Sequence, residues 1–313
     1  MVSWASAGMM TPPVLVRTSL ARSRRAVLKI LAGIVRPPAY PAGVLSFVDL
    51  AARPEFTVSV VNCRDDHRGW SAETPRSDVR LVLVHRGGFR RRVRGVPADL
   101  DRTVGYVGLP GEEEQFAHPA GGDVCTSISL TAGLWRAVAG DAPRLTGSSL
   151  YVDGRLDLAH RRLLAATRSG DSAEHLVGLV GEVVEQMVST PVPAGAGAGD
   201  AALVARARDV IGADHPAAEG LIPLATLLGV SPYRLSRAFT RELGVSLTRY
   251  RNRVRVGRAL DRLEGGETSL AGLAADLGFA DQAHLSRTVR DHLGHTPTAL
   301  RKLLFRAAAV PAR

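Results

Sequence analysis

Two arginines, Arg237 and Arg287, stand at the same place in two copies of one pattern. Leu235-Ser236-Arg237 recurs as Leu285-Ser286-Arg287, 50 positions later, and Leu224-Ala225-x-x-Leu228-Gly229 recurs as Leu273-Ala274-x-x-Leu277-Gly278, 49 positions later. A guanidinium is a rigid fork of N–H donors that fits a guanine edge or a phosphate and takes no part in covalent chemistry. Around these arginines, at helical spacing, stand Tyr233, Arg234, Ser236 and Arg241 in the first copy and Gln282, Ala283, Ser286 and Arg290 in the second. The ten residues form a candidate binding set for a polyanion.

The elements that must position this set are legible in the same repeat. Each copy reads as a short apolar helix, a turn containing glycine, and a second helix opened by a capping residue: Ser231 followed by Pro232 in one, Asp281 in the other. Gly244 and Gly294 suit the left-handed position that ends each second helix. Leu235 and Phe239 form the buried stripe of the first second-helix, and Leu285, Val289 and Leu293 that of the other, so the candidate set falls on the opposite faces. A helix-turn-helix needs this arrangement, because its first helix braces the second against a major groove. Between the copies, Leu247 to Leu263 reads as a helix carrying Arg249, Arg251, Arg253, Arg255, Arg258 and Arg262. About 17 residues span ~25 Å at ~1.5 Å each, enough to hold two reading helices ~34 Å apart on consecutive groove turns. Arg249, Arg251 and Arg255 are read as phosphate or solvent contacts.

The segment from about Ala202 to Leu304 resembles the DNA-binding domain of the AraC/XylS regulators. Its most specific part is Gly278-Phe279-Ala280-Asp281-Gln282-Ala283-His284-Leu285-Ser286-Arg287, followed by Gly294-His295-Thr296-Pro297. Leu247 replaces the family's usual proline, Leu300 a usual aromatic and Val289 a usual phenylalanine; all three exchanges are apolar and leave the DNA-facing set intact. The resemblance implies transcription regulation, duplex DNA and RNA polymerase as partners, a small-molecule effector and a homodimer.

The other residues able to do chemistry lie further upstream. Glu112, Glu113, Glu114 and His118 could hold a cation, but no His-x-His pair accompanies them, so a solvated acidic turn is expected, with no metal and no cofactor. Cys63 and Cys125 are too few for a disulfide framework or a four-thiolate zinc site; both read as small buried residues in a reducing cytoplasm. Arg90, Arg91, Arg92 and Arg94 read as charges protecting an edge strand.

The strand runs that carry these residues are Thr57 to Val61, Val79 to Val84, Phe89 to Val93, Val104 to Val107 and Cys125 to Leu130, with the second and third joined as a hairpin through Gly87-Gly88. They predict a small antiparallel barrel or sandwich. From about Val79 to Leu130 the chain resembles the cupin-like sensor domain of actinobacterial AraC-family members. Two amphipathic helices follow, around Leu156 to Leu164 and from Ser172 to Met187. Pro191 to Gly199 then reads as a linker of small residues.

The expected fold is therefore α+β with two domains: an N-terminal cupin-like β barrel with flanking helices, and a C-terminal all-α double helix-turn-helix. The divisions are a basic, poorly ordered extension over 1–50, preceding or including a start near Met9 or Met10, a sensor or dimerising domain over 51–190, a linker over 191–200, and the DNA-binding domain over 201–313. The length of 313 residues accommodates two cores, and 40 basic against 30 acidic residues give the net charge of +10 that suits a polyanionic partner. The longest apolar run near the N-terminus, Ala26 to Val35, falls far short of the ~20 residues that span a bilayer. No membrane helix is expected, and the location is cytoplasmic.

No Gly-x-x-x-x-Gly-Lys loop or Gly-x-Ser-x-Gly elbow occurs. Two isolated cysteines also argue against an alkylation-repair enzyme, which needs several. The chain is read as a binding protein, and a metal-dependent cupin enzyme fused to a DNA-binding module is the alternative.

Overall fold

In the computed structural model of the chain, the described residues are 45–64, 68–139, 149–169, 172–189 and 198–308. Most of the basic extension and residues 191–197 of the linker lie outside them. The ten strands are β1 (Leu45–Arg53), β2 (Phe56–Cys63), β3 (Thr74–Pro75), β4 (Val79–Arg86), β5 (Phe89–Val93), β6 (Val96–Leu100), β7 (Val104–Gly108), β8 (Glu113–Ala117), β9 (Asp123–Leu130) and β10 (Ser149–Tyr151). They form a six-stranded sheet, ordered β1-β2-β9-β4-β7-β10, and a four-stranded sheet, ordered β3-β8-β5-β6, with every pairing antiparallel.

The larger sheet is the middle layer. On one face Val58, Val79, Leu81, Leu83, Ile128 and Leu130 pack against helices α1 (Ala132–Ala139), α2 (Gly154–Ser169) and α3 (Ser172–Ser189), which contribute Trp135, Leu156, Leu163, Leu176, Leu179 and Val183. On the other face Val61, Val82, Val84 and Cys125 meet Phe89 and Leu100 of the smaller sheet. Strand β4 is thus covered on both sides, which is why its apolar residues run together. Burying each large aliphatic side chain contributes ~1.5–3 kcal/mol.

Four sequence expectations change here. The two sheets stay open and stack face to face, so of the barrel or sandwich expected the sandwich forms and the barrel does not, with helices covering the outer face of the larger sheet. The expected β4–β5 hairpin does not form: β4 pairs with β7 and β9, whereas β5 pairs with β6 and β8. Gly87 and Gly88 instead carry the chain from one sheet to the other at close quarters. A side chain at Gly87, whose φ is +74°, would collide with the Gly122 carbonyl, and one at Gly88 with that of Leu100. The hairpin proper is β5–β6, turned at Arg94-Gly95 with φ of 50° and 79°.

The third change concerns charge. Strand β5 is interior to its sheet, and the acidic run that reads as a solvated turn enters strand β8. Glu114 is fully buried and accepts from Arg76 and from Arg91 Nε at 2.7 Å, while Arg91 Nη2 reaches Glu112 at 2.7 Å. Arg90 and Arg92 lie over the Trp70 ring. Residues 45–50, assigned by composition to the extension, are part of β1.

Beyond the sheets come α4 (Ala198–Gly212), a 3-10 turn (Pro216–Glu219), α5 (Leu221–Leu227), α6 (Pro232–Leu243), α7 (Leu247–Glu264), α8 (Leu270–Asp276), α9 (Gln282–Leu293) and α10 (Pro297–Ala308). Two cores form around α7. One unites Leu203, Leu224, Leu235, Phe239 and Tyr250; the other unites Val256, Leu260, Leu273, Phe279, Leu285, Val289 and Leu300. Leu158, from α2 of the β part, belongs to the second core.

Candidate nucleic-acid interface

Helices α6 and α9 are built alike from their caps inward. Ser231 Oγ accepts from the Arg234 amide at 3.2 Å, and Asp281 Oδ1 from the His284 amide at 2.6 Å. Gly244 and Gly294 end the helices at φ of 69° and 73°. Leu235, Ala238 and Phe239 are buried in one, Leu285, Thr288 and Val289 in the other, each with its arginine two positions after the leucine and turned outward.

On α6, Tyr233, Arg234 and Arg237 are exposed and Ser236 is half-buried. Arg237 Nη1 donates to the Tyr233 hydroxyl at 3.0 Å and its guanidinium lies over that ring. Arg241 is half-buried, and Nη1 donates to Asp200 Oδ2 of α4 at 2.7 Å. On α9, Gln282, Ala283, Arg287 and Arg290 are exposed and Ser286 is half-buried. Neither Arg287 nor Arg290 has a carboxylate partner among the described residues.

The linking helix α7 is less free than its arginine count implies. Arg258 Nη1 donates to Asp214 at 2.5 Å and Arg262 Nη2 to Glu267 at 2.7 Å. Arg253 is buried, donating to the Val152 carbonyl at 2.9 Å and to Asp157 Oδ2 at 3.0 Å, both in the β part. Arg249 is exposed, while Arg251 and Arg255 are half-buried, the latter over the Phe279 ring.

The opposite side of α7 is a charged seam with the β part, which sequence reasoning missed. Arg102 grips Asp261 with both terminal nitrogens at 2.8 Å, and Arg161 reaches Glu264 at 2.6 Å, Asp261 at 2.7 Å and Asp157 at 2.9 Å. Tyr250 and Thr103 hydroxyls meet at 3.1 Å, and Arg208 of α4 donates to Asp101 at 3.1 Å and to the Asp99 carbonyl at 3.0 Å. Burial opposes ionisation of Asp157, but the Arg253 and Arg161 guanidiniums overcome it and hold its pKa at about 2. Apart from the i,i+4 pair Asp157–Arg161, these bonds join positions 96 to 159 residues apart, so no local pattern announces them.

Within the seam lies a cavity of about 550 Å³, lined by His85, Arg102, Asp157, His160, Arg161 and Asp261 among others. Nε2 of both His85 and His160 lies against Thr126 Oγ1, at 2.6 and 2.9 Å, and the two rings stand 4.8 Å apart. Burial, with the neighbouring His85, lowers the His160 pKa to about 3.

Among known proteins, residues 224–303 match a family described as a helix-turn-helix domain. A curated relative, the spectinabilin polyketide synthase system protein NorA of Streptomyces orinoci, is 26% identical over 79% of this chain, which spans only 15% of that relative. A transcriptional regulator of Chromobacterium violaceum with an AraC-type DNA-binding domain is 27% identical over 34% of this chain and 96% of its own, with a TM-score of 0.32. The structure of ToxT from Vibrio cholerae is 12% identical over 82% of this chain and 99% of its own, with a TM-score of 0.33. At such scores the geometry of site and seam stands on this chain's own residues. Paired caps, paired glycines, a matched burial pattern and the match over residues 224–303 agree: the C-terminal part of the chain is a helix-turn-helix domain.

Proposed function

We propose that the protein is a sequence-specific transcription regulator that lays α6 and α9 into consecutive major grooves of duplex DNA. The observation that carries this reading is the exposure of Arg237 and Arg287 at equivalent places on two helices of identical build. Tyr233, Arg234, Ser236, Gln282, Ala283, Ser286 and Arg290 complete the contact set, and Arg241 joins it by leaving Asp200. The protein works by binding in the cytoplasm, with RNA polymerase as its eventual partner and a homodimer as its assembly, the sensor part over 51–190 being joined through 191–200 to the reading part over 201–313. Among the described residues no helix is long and apolar enough to cross a membrane. Titration of the purified chain on genomic operator fragments tests the proposal. The expected result is a footprint covering two successive grooves on one face, with affinity falling steeply as salt rises. A footprint of one groove, or affinity indifferent to salt, would falsify it.

The seam cavity supports a second element, control by a small anionic effector. Its two arginines are already satisfied by Asp157, Asp261 and Glu264, so an incoming carboxylate competes with the bonds that hold α7 to the β part. Thermal shift against a panel of small carboxylates is expected to yield a ligand that stabilises the native chain and has no effect on Arg161→Gln. A panel without such a member removes this element and leaves the DNA reading untouched.

A further inference from the structure

Where the two sheets meet, one end of their interface is polar. Cys63 closes β2 and faces Asp123, which opens β9, as its antiparallel partner. Directly after β8, His118 reaches across from the smaller sheet, with Nε2 at 3.1 Å from Asp123 Oδ1 and a hydrogen bond to Cys63. Cys63, His118 and Asp123 are 4%, 8% and 4% exposed, and one donor atom from each lies within 4.8 Å of the other two. Cys125, two residues along β9 on the same face, hydrogen-bonds Asp123. Cys125 in turn belongs to an apolar cluster with Val61, Val84 and Phe89.

Burying a thiol, an imidazole and a carboxylate together in such a place is costly unless the groups satisfy one another or a common ion. Strand pairing joins Cys63 and Asp123 through their backbones and does not require these side chains. Their supports fix them in place. Phe89 stacks on the His118 ring with centroids 5.7 Å apart, the Gly121 amide donates to the His118 carbonyl at 3.2 Å, and the Gly122 backbone presses so close to Cys63 that a side chain there would strike its carbonyl. Such outer contacts are what orient metal ligands.

We propose that Cys63, His118 and Asp123 form a binding site for a borderline divalent transition cation, zinc by preference. Thiolate, neutral imidazole and carboxylate are the donors zinc takes, at ~2.0–2.3 Å, and donor atoms spaced as these are need only small side-chain rotations to converge on one ion. Binding replaces the proton of the cysteine thiol as the ion enters, so metal uptake is coupled to proton release. Because β2 and β9 belong to one sheet and His118 to the other, the ion ties the sheets together and stabilises the β part in proportion to its occupancy. Cys125 holds the carboxylate from behind and is not itself a ligand.

Cobalt(II) is the probe, added to the full-length chain after chelation and under reducing conditions. The expected result is one equivalent bound, with the near-ultraviolet thiolate-to-cobalt band. Zinc displaces it and raises the melting temperature. Cys63→Ser is expected to abolish the thiolate band and lower affinity at least tenfold, His118→Ala to lower affinity comparably, and Cys125→Ala to keep the band. Absence of a thiolate band in the native chain overturns the proposal irrespective of how any variant folds, as does a band that survives Cys63→Ser or vanishes in Cys125→Ala. Circular dichroism of each metal-free variant separates lost ligation from lost fold.

Discussion

The two helix-turn-helix units share caps, glycines and a burial pattern, yet they are held by different neighbours. The first is braced from within the C-terminal part: α4 packs on α6, and Asp200 engages Arg241. The second leans on the β part. Leu158 enters its core, and Gly154 lies so close to α9 that a side chain there would meet Leu293 and the His292 carbonyl. Outward, the difference reverses. The reading face of α6 is partly engaged, Arg237 with Tyr233 and Arg241 with Asp200, whereas Arg287 and Arg290 on α9 have no carboxylate partner among the described residues. Duplicated helix-turn-helix units therefore do not imply duplicated support: the unit whose outward arginines have no carboxylate partner among the described residues is the one that leans on the β part.

The largest test of that coupling is Asp157→Ala. It leaves Arg253 and Arg161 buried without their shared carboxylate, and breaking such a buried pair costs about 3–5 kcal/mol. Urea unfolding of the full chain should show this loss, with separation of α7 from the β part. A loss below about 1 kcal/mol would mean that the seam holds nothing together.

Acid should loosen the same seam. His160 and His292 are buried with pKa values lowered to about 3 and about 4, so between pH 6.5 and those values the unfolded chain binds protons that the native chain refuses. The native state is favoured above pH 6.5 and loses about 1.4 kcal/mol per pH unit for each histidine as pH falls. Asp157 adds to the loss only below about 4, as pH approaches its own value of about 2. Urea midpoints measured from pH 7 to 4.5 should fall accordingly, and His160→Gln, which can still meet Thr126, should flatten the slope. An unchanged slope in that variant contradicts the assignment.

The smallest effect belongs to the first unit. Asp200→Asn releases Arg241 and removes a negative charge beside α6, so DNA affinity should rise a few-fold and the logarithmic salt dependence steepen by about 1. Its partly exposed ion pair contributes little to stability, about 0–1 kcal/mol, so the fold should persist. Affinity unchanged by the variant would show that Arg241 stays off the DNA.

The C-terminal fold was legible because its signals are local: a leucine four residues before a phenylalanine, a serine before a proline and a glycine at a left-handed position each act within one turn. Strands β2, β4, β7 and β9 were legible from their β-branched and apolar residues, and β5 only as the strand that follows the Gly87-Gly88 turn. Strand β8 was not, because Glu113-Glu114-Gln115 reads as solvated until Arg76 and Arg91 arrive from elsewhere in the chain. Partner choice in the sheets escaped for a related reason. Gly87-Gly88 reads as a hairpin turn, and only the contacts with Gly122 and Leu100 reveal a crossing between layers. Of the candidate contact set, Tyr233, Arg234, Arg237, Gln282, Ala283, Arg287 and Arg290 are exposed as periodicity implies, whereas Ser236, Arg241 and Ser286 are half-buried; the Asp200–Arg241 bond and the seam depend on long-range pairs that periodicity does not carry.

The central claim is that Arg237 and Arg287 read bases one groove apart from equivalent places on α6 and α9. Selection of bound sequences from randomised duplexes, with the native chain, Arg237→Ala and Arg287→Ala, tests it most directly. A bidentate arginine–guanine contact discriminates by about 1–3 kcal/mol, so each variant should relax preference in one half of the site only, the halves about one helical turn apart. Arg287→Ala should give the larger loss, because Arg237 is held by Tyr233. If both variants lose affinity equally for every sequence, the arginines are phosphate clamps and the claim is wrong.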